Sequence, residues 1–313
     1  MKKVILDVDT GIDDALAIAY AVHSPALDVL GITTTFGNIT VEEATRNTVQ
    51  ILELLGAGQI PVYAGAKRPL FRELKEKAKL FHGENGLGNI ELPPPRASVQ
   101  KQAASAFMIE QAKKHPGKLT IITVGSLTNL ATAIRDEPEM TALVERVVVM
   151  GGAVTVPGNR TPVAEANICA DPEAAELVFQ SGIKVTMVGL DVTMQTLLTR
   201  AHLASWREKG TEVCRAFADM CEFYMNAYAQ VGNVRGCALH DPLAVGVVID
   251  PTFVTAVPMH VVVDTSGGLS DARTIADRRK HPAAAPNVDV CLEVDRERFV
   301  EHFLQNVFEK NED

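Results

Sequence analysis

The sequence is short of aromatic and basic residues: aromatics make up 5% of its 313 positions, with one tryptophan, and 30 Lys and Arg face 39 Asp and Glu. The formal charge of −9 and the pI near 5.4 work against polyanionic partners, because nucleic-acid binding draws most of its affinity from Lys and Arg neutralising phosphates. No nucleic-acid partner is therefore expected. The five cysteines, at 169, 214, 221, 237 and 291, are odd in number and show no CxxC spacing, which reads as a reduced, cytoplasmic protein. No apolar run reaches the roughly 18 residues of a membrane helix, and none precedes a small-residue cleavage site, so no membrane association or export is expected. Internal repeats and low-complexity tails are also missing.

What is present is ordinary globular material, 47% hydrophobic and 22% charged, enough for one large α/β fold. Residues 3–8 (KVILDV) form a short apolar run, and residues 13–23 switch to helical spacing, with Leu16, Ala19, Tyr20 and His23 following at three and four. A strand feeds a helix. The pattern returns in "LDVLGITTTFG" and "TVEEATRNTVQILELLGAG", where Thr40 with Glu43 reads as a capping box and Gly56 as a stop. Further units lie at "KLTIITVGSLTNLATAI", "RVVVMGG" and "KVTMVGLDVT", the last flanked by the helical "DPEAAELVFQSG" and "TRAHLASWREKG".

This alternation predicts an open, mainly parallel central sheet flanked by helices on both faces, with ligands beyond the carboxyl ends of the strands. The polar clusters fall at such ends: "DVDTGIDD", "TTFGN", "TVGSLTN", and "MGG" leading into "NRTPVAEANICADP". No domain boundary is visible, so residues 1–313 are read as one unit. Active-site loops are expected near 76–98 and 222–240. The Gly- and Pro-containing stretches 81–98 and 266–287 read as functional loops or lids rather than linkers.

The densest feature is "LDVDTGIDD", which sets Asp7, Asp9, Asp13 and Asp14 within eight residues. Capping by Asp13 and Asp14, worth about 0.3–1 kcal/mol for a charge at a helix N-terminus, would explain two acids but hardly four. Oxygen-only ligands suit a hard cation such as Ca²⁺ or Mg²⁺, and no His or Cys stands at zinc-like spacing. An EF-hand frame from Asp7 fails, since it puts Ile12 at the glycine position and Ile18 at the bidentate glutamate. "DVDTG" also resembles the DxDx[TV] nucleophile motif of haloacid dehalogenase-type phosphatases at a strand end. Against that, the late strand reads "VGLDVTMQ" where those enzymes need an acidic metal motif. The crevice segments also carry hardly a basic residue, poor company for a dianionic phosphate. An uncharged substrate is expected.

Other constellations are weaker alone. Glu165 and Asn167 stand two apart, so in an extended segment both project the same way, and with Asn159 nearby they suit vicinal hydroxyls. They could equally be a polar loop before the helix at Asp171-Pro172. His240-Asp241 precedes Pro242 and an apolar helix; Asp241 could be a plain N-cap, or the pair could offer a carboxylate to a metal and an imidazole for proton transfer. His82 lies in the glycine-rich "FHGENGLG". Tyr224 and Tyr228, four apart on the preceding helix, could stack on a flat ring or simply be core.

The segments "DVDTGIDDALAI", "TTFGNITVEEATRN", "HGENGLG", "TVGSLTNLA", "VVMGGAV…GNRTPVAEANICADPEAA" and "HDPLAV" run in a single order between residues 4 and 249. In combination they resemble the nucleoside hydrolases of the inosine-uridine-preferring family. The resemblance implies a Rossmann-related fold and calcium-dependent hydrolysis of the N-glycosidic bond of purine or pyrimidine ribonucleosides, in nucleoside salvage, by a homodimer or homotetramer. Matched residue by residue, Asp9, Asp14 and Asp241 would be the carboxylate ligands of the Ca²⁺, completed by the main-chain carbonyl of Val124, with Asp7 behind them. Asp9 also matches the general base. Asp13, Asn38, Asn159, Glu165, Asn167 and Asp241 match the ribose-binding set, and Met150 the residue beneath the sugar. His240 matches the acid for the departing base, and His82 the loop histidine on the nucleobase side. One departure is Ala166, where the family usually has an aromatic. The remaining alternative is a nucleoside-binding protein without turnover, against which the intact Asp9 and His240 argue.

Overall fold

The computed structural model describes residues 1–74, 77–232 and 235–308. Position 76 of the first expected active-site loop and positions 233–234 of the second lie outside the described residues. The first strand, β1 (Lys2–Val8), is buried from Val4 to Val8 because both of its faces are covered. Val4, Leu6 and Val8 enter one core and Ile5 the other, as the two-residue alternation of a strand requires. The chain continues through α1 (Ile12–His23), β2 (Leu27–Thr34), α2 (Val41–Leu54), β3 (Val62–Ala64), the single turn α3 (Lys79–His82) and α4 (Ala104–Lys114). Next come β4 (Leu119–Thr123), α5 (Thr128–Asp136), α6 (Met140–Leu143), β5 (Val144–Met150), α7 (Ala166–Ala170), α8 (Pro172–Gln180) and β6 (Val185–Val188). They are followed by α9 (Leu190–Thr193), β7 (Leu197–Leu198), α10 (Arg200–Glu208), α11 (Glu212–Val231), β8 (Cys237–Ala238) and α12 (His240–Ile249). The last elements are β9 (Val254–Met259), β10 (Val261–Val263), β11 (Thr274–Ala276), β12 (Val288–Val294) and α13 (Arg296–Asn306).

Eight strands form the main sheet in the order β3-β2-β1-β4-β5-β6-β12-β9. Each neighbouring pair is parallel except β12 with β9. Strand order reverses between β1 and β4, which opens a crevice at their carboxyl ends. Helices α1, α2, α11, α12 and α13 pack on one face, and α4, α5 and α8 on the other. The expected mainly parallel α/β sheet is therefore the observed one.

Local signals read from the sequence also hold. Thr40 Oγ1 accepts the Glu43 N–H while Glu43 Oε2 accepts the Thr40 N–H at 3.1 Å, so the capping box starts α2. Asp171 accepts the Ala174 N–H at 3.1 Å, with Pro172 in the first turn of α8. Two readings change. Residues 266–287 contain β11, which pairs antiparallel with β10, so this stretch is partly a ribbon. Helix α12 begins at His240 itself, which puts Asp241 inside the first turn rather than at the cap. No helix among the described residues is long and apolar enough to cross a membrane.

Candidate active site

The turn from β1 into α1 gathers the four acids. Asp7 is sealed beneath: its Oδ1 accepts from Thr33 Oγ1 at 2.6 Å and Asn129 Nδ2 at 2.8 Å, and burial lifts its carboxyl to about 7. Asp14 caps the helix, its Oδ2 accepting the Gly11 N–H at 2.8 Å and its Oδ1 the Asp9 N–H at 3.0 Å. Burial, followed by the charge of Asp13, raises Asp14 to about 7 as well. Asp9 Oδ2 accepts the Asn38 N–H at 2.6 Å. Burial first, and Asp14 second, hold Asp9 well above the usual carboxylate range. Asp9 Oδ1 and Asp13 Oδ1 are buried with no hydrogen-bond partner among the described residues.

Backbone presses on Asp9 from two sides. A Cβ on Gly37 would lie 2.0 Å from Asp9 Oδ2, and one on Gly125 3.0 Å from Asp9 Oδ1. Asp241 enters from α12, and one oxygen each of Asp13, Asp14 and Asp241 lies within 4.8 Å of the others. Burial and then the neighbouring Asp13 push Asp241 well up. Three buried carboxylates repelling one another in an all-oxygen donor set fit a hard cation, so the cluster could hold a metal ion. In this set Asp13 stands where the sequence led us to expect Asp9, which lies alongside it.

The sugar side differs in detail from the expectation. Glu165 is the N-cap of α7, its carboxylate accepting the N–H groups of Asn167 at 2.9 Å, and of Ile168 and Gly152 at 3.0 Å each. The chain is thus extended only to Glu165 and helical from Ala166, and Glu165 and Asn167 bond to different groups. Asn167 Nδ2 donates to the carbonyls of Val124 at 2.8 Å and Met150 at 3.2 Å, tying two strand ends together. Asp9, Asn38, Ala78, Arg160, Ala166 and Asn167 line one cavity. Asn159 is exposed, accepts the Ala166 N–H at 2.9 Å, and is not part of that lining. Its neighbour Arg160 is, the single basic residue of the crevice segments named from the sequence.

On the base side, His82 Nδ1 accepts the Ile12 N–H at 3.1 Å and stands 4.0 Å from Asp13 Oδ1. Burial lowers both His82 and His240. Tyr224 donates to Asp13 Oδ2 at 3.2 Å. Tyr224 and Tyr228 meet edge-on at 5.0 Å, and Phe81 meets each of them edge-on. Tyr228 Oη lies 2.7 Å from His240 Nε2, and Thr193 Oγ1 2.7 Å from His240 Nδ1. Sequence reasoning passed over Thr193, Phe81, Arg160, Gly37 and Gly125. The available signal was position, since Gly37, Gly125 and Thr193 all follow strand ends.

Over residues 4–301 the chain matches the family model described as inosine-uridine preferring nucleoside hydrolase. It is 39% identical over 299 residues to the pyrimidine-specific ribonucleoside hydrolase RihA of Salmonella arizonae, covering 95% of this chain and 96% of that one. Uridine nucleosidase 1 of Arabidopsis thaliana is 39% identical over 266 residues, 85% of this chain and 79% of its own. Among solved structures, the purine-preferring ribonucleoside hydrolase from Gardnerella vaginalis aligns with a TM-score of 0.94 and 40% identity over 98% of both chains. Relatives of opposite base preference are thus about equally similar. A phosphatase is not favoured, because the family match takes in nearly the whole chain. The protein belongs to the inosine-uridine preferring nucleoside hydrolase family and is a ribonucleoside N-glycosyl hydrolase.

Proposed function

We propose that the protein hydrolyses both purine and pyrimidine ribonucleosides to free base and ribose, in nucleoside salvage, with a Ca²⁺ held by Asp9, Asp14, Asp241 and the Val124 carbonyl. The observation that carries this reading is the Asp13–Asp14–Asp241 cluster together with two of the buried, unpartnered oxygens at this strand end, Asp9 Oδ1 and Asp13 Oδ1. Carboxylates, a carbonyl and sugar hydroxyls suit the high, flexible coordination of calcium. When bound, that cation would offset the repulsion among the acids, orient the attacking water and make it more acidic.

The chain's own residues supply the rest. N-ribosidic cleavage passes through an oxocarbenium-like sugar, so water must be activated, positive charge stabilised and the leaving nitrogen protonated. Asp9 Oδ1 takes the proton from water. Asp13, Asn38 and Asn167 hold the ribose hydroxyls above Met150, and Glu165 and Asn159 fix the α7 segment that carries Asn167. The buried acids favour a cationic sugar. His82, Tyr224 and Tyr228 border the base, and His240 is the acid. An acid for poor leaving groups and rings for stacking coexist, which supports tolerance of both base classes.

The test is a nucleoside panel assayed for free base and reducing sugar, with and without a chelator. Base release from uridine and inosine that stops on chelation and returns with Ca²⁺ is expected. Phosphate release from nucleotides, or binding with no turnover, overturns the reading.

A further inference from the structure

We propose that Thr193 is the positioning residue that aims His240 at the departing base; this rests on the reading of His240 as the acid. Thr193 is the last residue of α9 and fully buried. Among the described residues its hydroxyl has one hydrogen-bond partner, His240 Nδ1 at 2.7 Å. The opposite ring nitrogen, Nε2, meets Tyr228 Oη at 2.7 Å. Both ring nitrogens are thus bonded, which fixes the ring plane: Nδ1 is turned to the buried Thr193, and Nε2, on the Tyr228 side that borders the base, is the nitrogen from which the proton leaves. A hydroxyl can donate to Nδ1 or accept from it, so the grip holds whether or not that nitrogen carries a proton.

The scaffold around this contact is tied from both directions. Thr196 Oγ1 donates to the Thr193 carbonyl at 3.0 Å, and the Thr196 carbonyl accepts the Leu239 N–H at 2.8 Å. Strands β7 and β8 then pair Leu197 with Ala238. The chain just after Thr193 is therefore bonded to the chain just before His240. On its other side α9 is anchored to the β5 exit: the Leu190 N–H donates to the Gly152 carbonyl at 2.9 Å, and Asp191 accepts the Val154 N–H at 2.9 Å. A catalytic group held this firmly needs no rearrangement at the moment of proton transfer.

Thr193→Val keeps the shape and removes the hydroxyl, whereas Thr193→Ser keeps the hydroxyl. Both are measured on uridine, inosine and nitrophenyl riboside, whose leaving group departs without a proton. Thr193→Val is expected to lower kcat on the nucleosides by about 10- to 100-fold, the scale of a misplaced catalytic group, with KM and nitrophenyl riboside turnover little changed. Thr193→Ser restores nucleoside turnover. Equal losses on both substrate types, or a Ser variant no better than Val, overturn the proposal. Thr193→Ala, with thermal unfolding of each variant, replaces Val if that protein does not fold. His240→Ala separates the two readings. If it shows no leaving-group dependence, the acid assignment fails and takes Thr193 with it; if it does while Thr193→Val does not, the Thr193 proposal alone fails.

Discussion

Asp14 closes the start of α1 through the Gly11 and Asp9 amides and still brings its charge against Asp13 and Asp241. Helix capping and a place in a cluster that could hold a cation, which look like rivals in the sequence, fall to one residue. This sets up a stability prediction. Asp241→Asn removes one of three repelling charges without changing shape, so the chelated variant should melt higher than chelated wild type. Ca²⁺ should raise the Tm of wild type but not that of the variant, which should also lose activity; thermal scans with chelator and with Ca²⁺, and base release from uridine, check these outcomes. Gly37→Ala places a carbon where only 2.0 Å separates it from Asp9 Oδ2, so Asp9 must turn away from the Asn38 amide. Turnover should fall on the order of 100-fold, as a displacement near 1 Å does, with the circular dichroism spectrum retained. The acids themselves were legible because they crowd a strand end. Which of them meet was not, since Asp13 and Asp241 come together only through the packing of α1 on α12. Register in the loop after β5 was equally hidden: Asn159 turns to the Ala166 amide while Arg160, one residue on, reaches the cavity.

Among the elements, α2 was readable to the residue because its cap is local chemistry. Thr40→Ala should cost about 1 kcal/mol, the usual value for losing such a cap, seen as a lower denaturant midpoint. Glu43→Ala should cost more, because Glu43 also accepts from Lys77 Nζ at 2.7 Å, in the segment leading to α3. That segment is held to Asn38 by the Ala78 N–H at 3.0 Å, so KM for nucleosides should rise too, which steady-state kinetics would show. Elements set by tertiary partners were not readable. β11 is a strand because β10 lies beside it, and "ANICA" is helical because Glu165 can cap the amides that follow it.

For the whole molecule, the parallel sheet was visible because strands buried on both faces leave unbroken apolar runs. The bracing of its far side was not. Arg72 bridges Glu173 of α8 and Asp271, partly buried against both, while Asp171 accepts the Leu70 N–H at 2.8 Å and the Thr128 hydroxyl at 2.7 Å. Nothing in the sequence joins positions so far apart. Arg72→Met leaves two acids facing a chain that cannot pair with them. It should lower stability by about 1–3 kcal/mol in urea, the range for losing charged hydrogen bonds, with kcat on uridine nearly unchanged. The two glycines against Asp9 carry a last consequence. Where Gly37 lines the pocket the wall is main chain, which no substitution can trim, whereas Ala78, Arg160 and Ala166 give the same pocket side chains, on irregular segments or at the start of a short helix. Directed evolution toward new nucleosides therefore has only the side-chain-lined part of the pocket to work with, and libraries belong at those three positions.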